Sequence, residues 1–305
     1  MSLALALVVG PLVLAWLAPA VLNPAVHRIR DPFTVLLGWL IVTAATVLTF
    51  AAGVVLLLIP GGQQARLGYL AHQCWLAVRH LQRPGVDEAL GAVGALALVA
   101  LLVRLTTATL RHWRAQRRLR QAHQDLLTLL GGTTGPGPEP VLRMPYAAPV
   151  AYSVGGRRGL VVVSDGVEQL PPAQRAAVLC HEHAHLRGRH HLIVSAVDAL
   201  AAALPWLPLT RQAPDAVRLL VELCADDAAV RACGPGAVGA ALIALSEAPR
   251  PAHALSMSGS DVVVRLHRLQ TAAPARRLPG RLAATTAALV APALAGVLAI
   301  AAMCG

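Results

Sequence analysis

The chain has 305 residues, of which 56% are hydrophobic and 13% charged, and its mean hydropathy is +0.60. This composition excludes disordered, collagenous and disulfide-scaffold classes and points to a membrane protein. The formal charge of +11 comes entirely from arginine, and with 3% aromatic residues there are few platforms on which bases could stack, which disfavours nucleic-acid binding.

In chain order, four stretches are long and apolar enough to cross ~30 Å of hydrocarbon, which takes about 20 residues of helix. Residues 3–22, 34–59 and 282–303 carry no charge, and residues 89–110 carry only Arg104, close enough to the span's end to snorkel. Ala18-Pro19-Ala20 gives the first stretch a loose likeness to a signal-peptide cleavage site, but no basic region precedes it. Arginine sets the orientation. Arg28 and Arg30 in the first loop must share a side with Arg111, Arg114, Arg117, Arg118 and Arg120, and with Arg276, Arg277 and Arg281 before the last span. The loop 60–88 has Arg66, Arg79 and Arg83, partly offset by Asp87 and Glu88, and falls outside. Residues 111–281 are therefore expected in the cytoplasm of an inner-membrane, multi-pass protein with both termini outside. The run from Arg111 to Arg120 fits a helix lying on anionic lipid, with direct nucleic-acid binding not expected.

A Gly- and Pro-rich linker at 131–140 sets the start of a folded domain near Val141. Residues 150–154 and 159–164 read as strands joined at Gly155-Gly156, and Pro171-Pro172 opens a helix through about Arg187. Further apolar-periodic helices are expected at 216–230 and 262–269. Residues 192–209 are apolar enough for a fifth span, but Asp198 and Pro205 favour a core or interfacial helix.

The chemistry is concentrated at His181-Glu182-His183-Ala184-His185. In the pattern H-E-x-x-H, residues i and i+4 share one helix face, so His181 and His185 can converge on one metal, with zinc the default. Glu182 then faces the metal's open position as a general base. Catalytic zinc takes three protein ligands. Glu222 is the expected third, and Asp226, one turn on, can accept the N–H of His181 and fix its tautomer. The alternative is a solvated face in which Glu222 and Asp226 pair with Arg218. Arg265 is expected either in the cleft, holding substrate, a developing oxyanion, or an acidic partner such as Asp226 or Asp227, or at the surface like Arg268. His190 and His191 read as surface histidines beyond a helix end at Gly188. Cys180 and Cys224 read as small buried thiols. Cys74 and Cys304, both expected outside, could form a disulfide, though no spacing supports one.

The four spans with a domain between the third and fourth, His181-Glu182-His183-Ala184-His185 and Glu222-Leu223-Cys224-Ala225-Asp226 together resemble the BlaR/MecR-type membrane metallopeptidases, gluzincins of the antirepressor kind. The likeness covers nearly the whole chain, including the hairpin at 150–164, Leu204-Pro205-Trp206 and the segment 263–269. It implies a mainly α membrane protein divided into a three-span region (1–110), a basic juxtamembrane helix and linker (111–140), a cytoplasmic α+β zinc peptidase domain (141–281) and a fourth transmembrane helix (282–305). It also implies one zinc ion per chain and cleavage of a winged-helix repressor of the BlaI/MecI type, with self-cleavage open. Only Cys304 and Gly305 follow the fourth span, so no penicillin-binding sensor domain is expected, and the inducing signal is not given by the sequence. Two alternatives stand beside this reading: an HtpX-like quality-control protease, and a membrane signalling adaptor whose zinc site is structural. Substrate is expected to add as an extended strand to the edge of the strand at 159–164.

Overall fold

The computed structural model describes residues 3–28, 31–58, 141–155, 159–247 and 259–271, with helical residues within 96–121. Two helices open the chain, α1 (Leu3–Arg28) and α2 (Pro32–Leu58). They contain the stretches Leu7–Val26 and Pro32–Gly53, both long and apolar enough to cross a membrane. Asp31 starts α2: its carboxylate accepts the Phe33 N–H at 3.2 Å and the Thr34 hydroxyl at 2.7 Å. Residues 102–110 of the expected third span are helical, whereas 89–95, the fourth span at 282–303 and the linker at 131–140 lie outside the described residues.

Three short strands follow, β1 (Val141–Met144), β2 (Ala151–Val154) and β3 (Leu160–Ser164), in the order β1-β3-β2. β2 runs antiparallel to β3, as the Gly155-Gly156 turn predicts, while β1 runs parallel to it. This corrects the expected substrate edge, because β3 is paired on both sides and offers none. The four-residue β1, Val-Leu-Arg-Met, is too short to announce itself by alternation, yet it takes the side of β3 that the hairpin leaves open. β3 is buried on both faces accordingly: Val161 and Val163 pack toward the helices, and Val162 packs with Leu142 and Val154.

Helices α3 (Asp165–Glu168), α4 (Pro172–Arg187), α5 (His190–Ala203), α6 (Pro208–Cys233), α7 (Pro235–Glu247) and α8 (Gly259–Thr271) complete the described chain. α4 starts at Pro172, where a proline's missing N–H costs nothing, and runs to Arg187 as expected. The stretch 192–209 is not one long helix: α5 ends at Ala203, and α6 begins at Pro208 after a turn. Asp198, in the middle of α5, accepts two hydrogen bonds from Arg218 of α6 at 2.7 and 2.8 Å.

Two cores position the site. Leu22, Val26, Val35, Leu36 and Trp39 of the first hairpin pack in one cluster with Val197 of α5 and with Leu209, Val217, Leu220 and Leu223 of α6. The membrane-type hairpin thus lies directly on the helix that carries Glu222, and an Asn23–Gln212 hydrogen bond of 2.6 Å joins them. In the second core, Val161, Val163 and Val167 meet Ala177 and Val178 of α4, Ala229 of α6, and Val238 and Ala241 of α7. Alanine at 177 and 229 lets α4 and α6 approach closely enough for side chains on both to share one ion.

Candidate metal centre

His181 and His185 lie one turn apart on α4 and turn their Nε2 atoms together, 3.1 Å apart. Glu222 of α6 completes a triangle, with Oε2 3.4 Å from His181 Nε2 and Oε1 3.4 Å from His185 Nε2. These donors all lie within 4.8 Å of one another. A tetrahedral ion with bonds of ~2.0–2.1 Å sets its ligand atoms roughly 3.3 Å apart, so the three spacings fit zinc in both chemistry and size. The alternative in which Glu222 pairs with Arg218 is corrected: Arg218 is turned toward Asp198 and Asp215.

Behind this triangle stands a chain of charge. Asp226 Oδ1 is 3.0 Å from His181 Nδ1, the nitrogen facing away from the other donors. Arg265 of α8, 5% exposed, meets Asp226 through both Nε (2.7 Å) and NH2 (2.6 Å) and reaches Glu222 through NH1 at 2.9 Å. Of the two expected positions, the structure gives Arg265 the buried one, with its donors turned on carboxylates. Asp227 is engaged by Arg268 instead, at 3.1 Å. Burial alone would push the Glu222 and Asp226 carboxyls up, but His181 and Arg265 outweigh it and hold both below the usual carboxylate range.

His185 is held differently. Its Nδ1 lies 2.9 Å from Nδ1 of His190, the first residue of α5, and the two rings meet edge to face. His190 is 8% exposed, which corrects its expected place at the surface. The physical reason is a single residue: Arg189 takes a left-handed conformation (φ 49°) that doubles the chain back from the end of α4. Gly188 makes the room, since a Cβ there would collide with the His190 ring. His191 is likewise packed, against Gly155.

Burial would favour a neutral His181, but the hydrogen bonds and charges of Asp226 and Glu222 prevail and raise its pKa to about 10. Burial does prevail at His185 and His190, lowering them to about 3 and about 4. Glu182, 9% exposed, has its carboxyl pushed up by burial, tempered by His181 and by a hydrogen bond with Ser153 of β2. A buried carboxyl raised toward neutrality, next in sequence to His181 of the triangle, is suited to taking and returning a proton.

Cys224 is a half-buried thiol, pushed up to about 12 chiefly by burial and the nearby Asp227 charge. Cys180 faces Cys233, with their sulfurs 3.6 Å apart. Cys74 and Cys304 lie outside the described residues.

Residues 114–210 match the model of peptidase family M48. The matched segment holds His181, Glu182, His185 and His190 and ends before Glu222, and it supports a zinc-dependent metallopeptidase. Neither the curated proteins nor the solved structures yield a match.

Proposed function

We propose that the chain is a membrane-embedded zinc endopeptidase in which His181, His185 and Glu222 hold the ion and Glu182 is the general base. The observation that carries this is the donor triangle with a buried, hydrogen-bonded carboxyl beside it; a closed structural site would take a fourth protein ligand and need no such group. A zinc ion held there supplies Lewis-acid polarisation to the scissile carbonyl. Glu182 takes the proton of the attacking water and returns it to the leaving amine. Asp226 accepts the Nδ1 proton of His181, which leaves Nε2 free to ligate, and Arg265 keeps Asp226 charged and Glu222 aimed. Arg265 is therefore a positioning residue in this reading, with its donors committed to carboxylates rather than to substrate or oxyanion.

β2 is the strand beside Glu182, and its side away from β3 has no partner strand among the described residues. A substrate strand adding there would cross the open face of the triangle. The resemblance to the antirepressor peptidases makes a BlaI/MecI-type winged-helix repressor the proposed substrate, in signal-dependent regulation. The apolar stretches and the arginine distribution of the sequence add the proposed four-span topology, with a cytoplasmic peptidase domain and outer termini. The M48 match is to a peptidase family as a whole and supports hydrolysis without choosing that substrate over membrane-protein quality control. Comparing cytoplasmic and membrane protein fragments between wild-type and Glu182→Gln cells tests both levels. Cleavage products confined to wild type support the peptidase, and a cleaved repressor among them supports the antirepressor role. Equal fragment patterns would overturn the enzyme reading, and fragments of damaged membrane proteins alone would replace the substrate.

A further inference from the structure

Away from the metal triangle, a cavity of about 470 Å³ opens between the helical residues 104–111 and 113–115 and the end of α5. Arg104, Thr107, Ala108, Arg111, Ala115 and Ala202 line it. Positions 104, 108, 111 and 115 recur at i, i+4, i+7 and i+11, one face of a helix, so both guanidinium groups are presented to the same space. Arg104 makes a long 3.4 Å contact with the Ala202 carbonyl and lies 5.2 Å from the centre of the Trp206 ring. Neither Arg104 nor Arg111 has a carboxylate within ion-pair distance among the described residues, and the lining contains no acidic side chain. The Thr107 hydroxyl donates to the Arg104 carbonyl and serves only as wall. Among the described residues, then, this is a cationic cavity with no carboxylate to answer its charge.

Its surroundings say what kind of anion. Leu96, Val99, Val103, Leu110 and Trp113 are all large, apolar and exposed. Leu96, Val103 and Leu110 lie roughly 70–110° round the helix from the arginines, so apolar surface flanks the cavity on one side, and Val99 and Trp113 continue it further round. Trp206 is 55% exposed at the mouth, and Trp113 carries Arg117 over its ring at 3.7 Å, an arrangement of aromatic and arginine side chains suited to the headgroup layer. Two guanidiniums offer forked donors that fit phosphate oxygens, and the flanking apolar face fits acyl chain.

We infer that this cavity binds the phosphate of an anionic phospholipid, with Arg104 and Arg111 as its ligands. The site is independent of the peptidase reading. The full-length protein in neutral detergent, titrated with phosphatidylglycerol and observed intact by mass spectrometry, should retain one lipid tightly. Arg104→Gln/Arg111→Gln should weaken that binding at least tenfold, whereas Arg117→Gln/Arg118→Gln, which removes the same charge from the same helix, should leave it nearly unchanged. Phosphatidylcholine should not replace phosphatidylglycerol, and inorganic phosphate should compete only weakly. Equal losses in the two double variants would reduce the effect to diffuse surface charge and overturn the site. Inorganic phosphate binding as tightly as the lipid would overturn the lipid assignment in favour of a free anion.

Discussion

The two histidines of the triangle sit one turn apart on one helix and perform the same task with opposite support. His181 has its outer nitrogen on Asp226, itself clamped by Arg265, and its pKa is raised to about 10. His185 has its outer nitrogen on His190, a neutral ring, and its pKa is lowered by burial to about 3. A carboxylate makes an imidazole a stronger donor to metal but also a stronger holder of protons; a neutral partner fixes orientation without that competition. One ligand is thus tuned for strength and the other for availability.

The charged side should break hardest. Arg265→Met leaves Asp226 and Glu222 without their shared cation in a buried place and should cost ~3–5 kcal/mol of stability, read by chemical denaturation of the metal-free protein. A loss below 1 kcal/mol would mean that water reaches the carboxylates and that the clamp is weak. Asp226→Asn keeps the shape and removes the charge, and should lower zinc affinity by roughly 10–100-fold. The same variant sharpens the pH contrast. In wild type, zinc must displace the proton that His181 holds up to about pH 10, so apparent affinity should rise as pH increases, by about tenfold per unit below that value. Without the Asp226 charge the proton leaves at lower pH, and the slope should flatten above neutrality. An unchanged slope in Asp226→Asn would show that Asp226 does not set the protonation of His181.

The neutral side should give a smaller effect. His190→Leu removes the acceptor for the His185 N–H and should lower zinc affinity about tenfold, the low end for such an outer partner. His190→Asn, whose side-chain oxygen can take the place of Nδ1, should recover most of it. Failure of asparagine to recover affinity, with the fold intact, would reduce His190 to packing.

The same contrast marks what the sequence made legible. The His181 side was legible in pattern: i and i+4 on α4, and again on α6, put each pair on one helix face, and the apolar run around Glu222 marked a carboxylate that needs a partner. Helix α4 itself was marked by Pro171-Pro172 and by a glycine at its end. The His190 side was not legible, because it depends on a left-handed arginine at position 189, a conformation that non-glycine residues seldom adopt and that no local pattern announces. β1 and α7 escaped for related reasons. Four residues are too few to show strand alternation, and α7, rich in alanine and glycine, is defined by what it covers. Arg265 was ambiguous between cleft and surface, since a cation on an amphipathic helix fits either until its carboxylates are placed. The hairpin of α1 and α2 read plainly as apolar span, but that its side chains pack on the Glu222 helix is a tertiary fact that composition does not encode.

The central claim is that three residues hold the ion and the fourth, Glu182, acts beside it without holding it. Zinc content per chain of the purified full-length protein tests this directly when wild type, Glu182→Gln and Glu222→Gln are measured side by side at limiting free zinc. The account predicts one zinc in wild type, one in an inactive Glu182→Gln, and a substoichiometric amount in Glu222→Gln. Full zinc in Glu222→Gln, or its loss in Glu182→Gln, would contradict the assignment of ligand and base.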